Sequence, residues 1–226
     1  MTRLVLANLG AHDLRLKTEY PLPSRAAEIL EHREDWPSLE LPILVPLLDA
    51  VSSYRIPDSQ APEPPLLLLF VTRQDGAPDG MRDKDTDALG RLIQALLGAE
   101  GPEPLRAKAK RVYLSAPIAD APQNPDAMFQ WHREHLSREI EQIANEQQIK
   151  PDQFGYHVSV TGGTPAMNMA LMFRAYGLPG RVERVWHVNE ATGKAESVRA
   201  GMVLTGQPIW QGRLSMPPIL KLTCLP

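Results

Sequence analysis

The chain has 226 residues, 43% of them hydrophobic, with 24 basic and 27 acidic side chains and a formal net charge of −3. That length suits one large domain, or one domain with a small appendage, and a second full catalytic domain would be crowded. Mixed charge of slightly negative sign excludes a surface built to wrap duplex nucleic acid, and a lone cysteine, Cys224, excludes an internal disulfide framework or a Cys-based zinc cage.

In chain order, residues 3–9 (RLVLANL) form a short apolar run closed by Gly10, which predicts a buried strand and a tight turn. Beginning on a strand pattern rather than on a charged leader, the chain is expected to be soluble and cytoplasmic. Residues 24–34 predict an amphipathic helix opened by a Ser24 cap, and residues 41–52 another, punctuated by Pro42 and Pro46. A proline-rich connection over 57–65 leads to the continuous apolar run 66–72, the pattern of a central strand covered on both faces. The stretch PPLLLLFV (64–71) is the most apolar of the chain and far too short to span a bilayer. Residues 85–97 carry a helical stripe of Leu89, Leu92, Ile93, Leu96 and Leu97. A strand over 111–116 precedes a long charged helix over 126–148, with Met128, Trp131, Leu136, Ile140 and Ile143 facing inward. A strand (155–161), a helix (166–176) and a strand (182–188) complete the alternation, which predicts an α/β, doubly wound, mostly parallel Rossmann-like sheet with helices on both faces. One domain over 1–205 and a short tail over 206–226, either a final strand or a linker, follow from this division.

The densest signal is HVSVTGGTPAMNMALM (157–172), a strand, a glycine turn and a helix start in succession. Gly162 and Gly163 remove the Cβ atoms that keep an anion off the backbone, and Thr161 and Thr164 place hydroxyls on the same rim. The same residues also make a good helix start, since Thr164 suits the N-cap and Pro165 the first helical position. No Lys follows the glycines as a Walker loop requires, and the spacing is not that of a dinucleotide G-x-G-x-x-G. In a doubly wound sheet, ligands bind outside the carboxyl ends of the strands. Asn8, Gly10, His12, Asp13, Thr72, Gln74, Ser115 and the Thr161–Thr164 turn all fall there, although each could equally be ordinary turn chemistry.

The segments LVLANLGAHDL, LLLLFVTRQ, KDTDALGRLI, APQNPDAM and above all VTGGTPAMNMAL resemble the CARF domains, the CRISPR-associated Rossmann-fold sensors of type III antiviral immunity, over residues 3–190. The resemblance implies a homodimer that binds a cyclic oligoadenylate, cyclic tetra-adenylate first among them, across its two-fold axis and controls an effector. A ring with even internal symmetry suits identical half-sites. It also implies that Thr161, Gly162, Gly163 and Thr164 contact phosphate and ribose, with Met167 and Asn168 beside an adenine or the dimer seam. Asn8, Gly10, His12 and Asp13 would line the opposite wall, with Thr72, Gln74 and Ser115 at the periphery. No cofactor and no metal is implied. Some members cleave their own ligand; if this chain did so, His12, Thr161 and Thr164 would carry the reaction. Many members have Lys after the Gly-Thr pair, where this chain has Pro165, which removes a cationic stabiliser and favours a sensor over a ring nuclease.

Other constellations are weaker. His132, His135 and Glu139 on the long helix have a spacing that could present a metal, but charged helices of this kind usually turn such residues to solvent. Effectors attached to CARF sensors carry Arg, four to six residues, then His; the segments 25–32 and 181–187 match by spacing but fall in a helix and a strand of the core. There is no G-x-S-x-G elbow and no DNA-binding element.

Overall fold

The computed structural model describes residues 1–16, 19–21, 23–54, 63–75, 79–119 and 121–198. The tail over 206–226 and most of the proline-rich connection lie outside the described residues. Strand β1 (Thr2–Asn8) is followed by β2 (Arg15–Leu16), α1 (Ala26–Glu31), β3 (Leu39–Glu40) and α2 (Leu44–Ser53). Then come β4 (Leu66–Phe70), α3 (Asp79–Arg82), α4 (Asp87–Leu97), β5 (Arg111–Leu114), α5 (Pro125–Glu146), β6 (Phe154–Ser159), α6 (Pro165–Ala175), β7 (Arg181–Asn189) and β8 (Lys194–Val198). Six strands form one sheet in the order β5-β4-β1-β6-β7-β8, parallel except for β8, while β2 and β3 pair separately. The fold is α/β and Rossmann-like.

Alternation along the central strands builds two cores. Val5 and Ala7 of β1 join Leu67 and Leu69 of β4 beneath α1, α2 and α4, where Leu92, Ile93 and Leu96 meet them. Leu4 and Leu6 point the other way, with Leu66, Leu68, Tyr156 and Val158, against Met128, Leu136 and Ile140 of α5 and Met167, Ala170 and Leu171 of α6. In register, Leu4 lies between Leu66 and Tyr156. All five strand residues of β4 are buried, as a run with no polar face requires.

Two expectations change. The helix over 24–34 is broken into a 3-10 turn at Pro23–Arg25, α1, and a second 3-10 segment at Arg33–Ser38. Buried Trp36 folds back under α1 and donates its indole N–H to the Ile29 carbonyl at 3.1 Å, satisfying an end group that another helical turn would have used. The sheet also gains β8, which sequence reading had no means to find: KAESV has no apolar alternation, and the hairpin depends on Asn189 accepting from the N–H groups of Ala191 and Thr192. Pro46 lies in the first turn of α2, where its missing N–H costs nothing.

Candidate functional site

From β1 the chain moves outward on one side to β4 and β5, then crosses to β6 and β7 on the other. The strand order therefore reverses between β1 and β6, where an open sheet leaves a crevice at its carboxyl edge. The loop after β1 and the glycine turn after β6 meet there.

After β1, the Leu9 N–H still bonds the Phe70 carbonyl at 3.1 Å, and the chain then turns at Gly10. The Gly10 N–H donates to Asp13 Oδ2 at 2.6 Å, and the Asp13 N–H returns to the Gly10 carbonyl at 3.3 Å. After β6, the Thr161 hydroxyl accepts the Val188 N–H at 2.7 Å, tying the turn to β7. Gly162 and Gly163 follow with φ of 80° and 61°, a left-handed pair that L side chains resist. They are packed hard against the other loop: a Cβ on Gly162 would lie 2.6 Å from the Asn8 carbonyl oxygen and 2.9 Å from Asp13 Oδ2, and one on Gly163 would lie 2.6 Å from Asn8 Cβ.

The Asn168 carboxamide holds this contact together. Its Nδ2 donates to the carbonyls of Val160 at 3.1 Å and Gly162 at 2.7 Å, and its Oδ1 accepts from Asn8 Nδ2 at 2.9 Å. Thr164 caps α6, accepting the Met167 N–H at 3.2 Å and donating its hydroxyl to the Pro122 carbonyl. Met167 is buried in the α5–α6 core, with its sulfur 3.5 Å from a Cβ position on Gly163.

Three backbone donors and two acceptors remain over. The N–H groups of Gly162, Gly163 and Thr164 have no hydrogen-bond partner among the described residues. Asn8 Oδ1 and Asp13 Oδ1 are buried and likewise without one. Burial raises the Asp13 carboxyl up to about 7; the Gly10 N–H opposes that shift and the nearby Glu190 charge adds to it. His12 is exposed, with Nδ1 3.3 Å from Glu190 Oε2 and its ring 4.9 Å from that of Tyr20. Together the corner can offer N–H groups at a helix start to an anion, beside a carboxyl that titrates near neutrality.

The sequence-derived residues thus divide. Asn8, Gly10, Asp13, Gly162, Gly163 and Asn168 converge, with His12 at the rim. Thr161, Thr164 and Met167 are there too, but Thr161 and Thr164 spend their hydroxyls on internal bonds. Thr72, Gln74 and Ser115 share the edge without touching the turn. Thr72 exchanges bonds with Thr86, Gln74 bonds Asp85, and the Ser115 hydroxyl accepts from Val71 N–H and donates to the Ala116 carbonyl. Glu190 and Pro122 were missed; Glu190 follows the end of β7 and was open to the same carboxyl-edge rule.

His132 departs from expectation as well. It is fully buried, both ring nitrogens lack partners among the described residues, and its ring lies 5.0 Å from Phe70 and 5.1 Å from Trp131. Burial first, then the charges of Arg174 and His135, lower its pKa to about 3. His135 stacks on Trp131 with its Nδ1 2.9 Å from that residue's carbonyl, so the two histidines do not form a solvent-facing pair. Among the described residues no group of three or more His, Cys, Asp or Glu could hold a metal ion, and no helix is long and apolar enough to cross a membrane. Comparison with known proteins finds no matching family model and no matching curated protein.

Proposed function

We propose that this protein is a cytoplasmic CARF-type sensor that binds a cyclic oligoadenylate, cyclic tetra-adenylate first, between the glycine corners of two protomers and signals to an effector through their relative orientation. The observation that carries the reading is the set of unpaired Gly162, Gly163 and Thr164 N–H groups at the point where strand order reverses, on the segment with the strongest family resemblance. A phosphodiester supplies the acceptors those groups lack. Signalling then requires that the ring bind one arrangement of the protomers better than another.

A sensor fits better than a ring nuclease. Of the three residues that cleavage would call on, Thr164 has its hydroxyl committed both as donor and as acceptor, Thr161 is buried with its oxygen accepting the Val188 N–H, and His12 is exposed. Calorimetry with cyclic tri-, tetra- and hexa-adenylate tests the proposal, with chromatography of the recovered ligand. The expected result is one ring per two protomers, recovered intact. Absence of binding by all three rings overturns the sensor reading; linear product accumulating over hours replaces it with the enzyme.

A further inference from the structure

We infer that Asp13 couples anion capture at the Gly162–Thr164 turn to the uptake of a proton, so that the corner reads pH as well as ligand. The inference rests on the ligand reading above and adds its regulation.

The geometry puts a carboxyl where an anion is least tolerated. Asp13 is fully buried, Oδ2 is pinned by the Gly10 N–H at 2.6 Å, and a Cβ on Gly162 would come within 2.9 Å of that same oxygen. A phosphate drawn to the turn N–H groups therefore arrives beside a carboxylate that is itself shielded from water, and the two repel. Protonation removes the like charge. It also changes the standing of a buried oxygen without a hydrogen-bond partner: a proton on Asp13 Oδ1 turns a bare acceptor into a donor. The proton comes from solvent, and no other bond is made or broken.

The groups facing Asp13 are few. The loop after β7 presents Glu190, whose negative charge opposes ionisation, and the Asp13 loop itself presents His12, 3.3 Å from Glu190. Arg15, two residues on, is engaged with Glu40. With the carboxyl already lifted up to about 7 in the free protein, an arriving anion moves it further in the same direction. Below that pH each protomer's proton is in place before the ligand arrives; above it, binding must draw in one per protomer, so affinity for a ring shared by two protomers falls by about a hundredfold per pH unit.

The test is calorimetry of the full chain with cyclic tetra-adenylate between pH 6 and pH 8.5, in pairs of buffers of different ionisation heat, which counts protons directly. Wild type is expected to take up almost no proton at the acid end and approach one per protomer at the alkaline end. Asp13→Asn keeps an acceptor for Gly10, and should bind with no proton count and level affinity, tighter than wild type at pH 8 by about a hundredfold for a ring shared by two protomers. His12→Gln removes the neighbouring group that could take up a proton in its place; whatever its affinity, each ring it binds should bring in the same number of protons as wild type. Binding without proton uptake at pH 8, or a wild-type pH profile in Asp13→Asn, overturns the inference and leaves the sensor reading standing. Should Asp13→Asn not fold, the wild-type proton count with the His12→Gln control decides alone. If wild type binds no ring at any pH, the sensor reading fails and this inference falls with it.

Discussion

The carboxyl edge of the sheet carries two buried polar clusters that differ in what they leave unfinished. On the β4–β5 side, Thr72 and Thr86 exchange bonds across their loops, Gln74 is matched to Asp85, and the Ser115 hydroxyl both donates and accepts. On the β1–β6 side, an equally dense set of bonds around Asn168 still leaves three N–H groups and two oxygens over. Asn8 Oδ1 and Asp13 Oδ1 are buried and unpaired, which opposes folding, so the second cluster carries a cost that the first avoids, while the three N–H groups belong to half-buried residues. The difference teaches that polarity at the carboxyl edge does not by itself mark a place for a ligand; what sets the two sides apart is unspent hydrogen-bonding capacity, which a ligand could use.

The hardest way to break that contrast is to fill the glycine corner. Gly162→Val adds a β-branched side chain at φ 80°, with its Cβ 2.6 Å from the Asn8 carbonyl oxygen. Thermal unfolding should show a loss of about 3 kcal/mol or more, together with loss of ring binding. For the same reason Gly163→Val is no clean probe of ligand contact, because it strains the fold before it meets a ligand.

His132 tests whether unpaired groups suffice without access. Its folded pKa of about 3 lies below the ordinary 6.5, so the unfolded chain binds the extra proton, and the stability that this neutral histidine contributes is present above pH 6.5 and lost as pH falls toward 3. At pH 5 that loss is about 2 kcal/mol. His132→Phe, set between Phe70 and Trp131, should unfold at higher urea than wild type at pH 5 and bind the ring unchanged; weakened ring binding would place His132 on the path to the site.

On the finished side of the edge, Thr72→Val removes the side-chain acceptor that the Thr86 N–H uses at 3.2 Å. Urea unfolding should register a loss of about 1 kcal/mol with no change in ring affinity. A changed affinity would return Thr72 to the site. The smallest effect is expected from Pro165→Lys, which adds a cation at an exposed position beside the turn and should tighten ring binding by about threefold, with a steeper salt dependence. No gain would mean that the phosphates lie away from the start of α6.

Much of this was legible in the sequence. Strand and helix alternation predicted the doubly wound sheet, all five inward positions named on each of α4 and α5 are buried, and the Thr-Gly-Gly-Thr turn falls on the edge where strand direction implies a ligand. What stayed hidden is long-range pairing. Nothing near Thr161 or Thr164 reveals that Val188 and Pro122 take up their hydroxyls, and nothing in KAESV marks an antiparallel strand. His132 was recoverable: it falls on the i+4 row through Met128, Leu136, Ile140 and Ala144, all buried, but its polarity masked the period.

One amide side chain governs how the corner responds to force. Asn168 is fastened at once to the end of β1, the last residue before the turn and the turn itself, and it belongs to α6, which lies along α5. A guest that lifts the glycines tugs on that amide, and the helix must yield or the amide let go. Motion started at the crevice would thus reach the outer helical layer through α6 as well as the ends of β1 and β6.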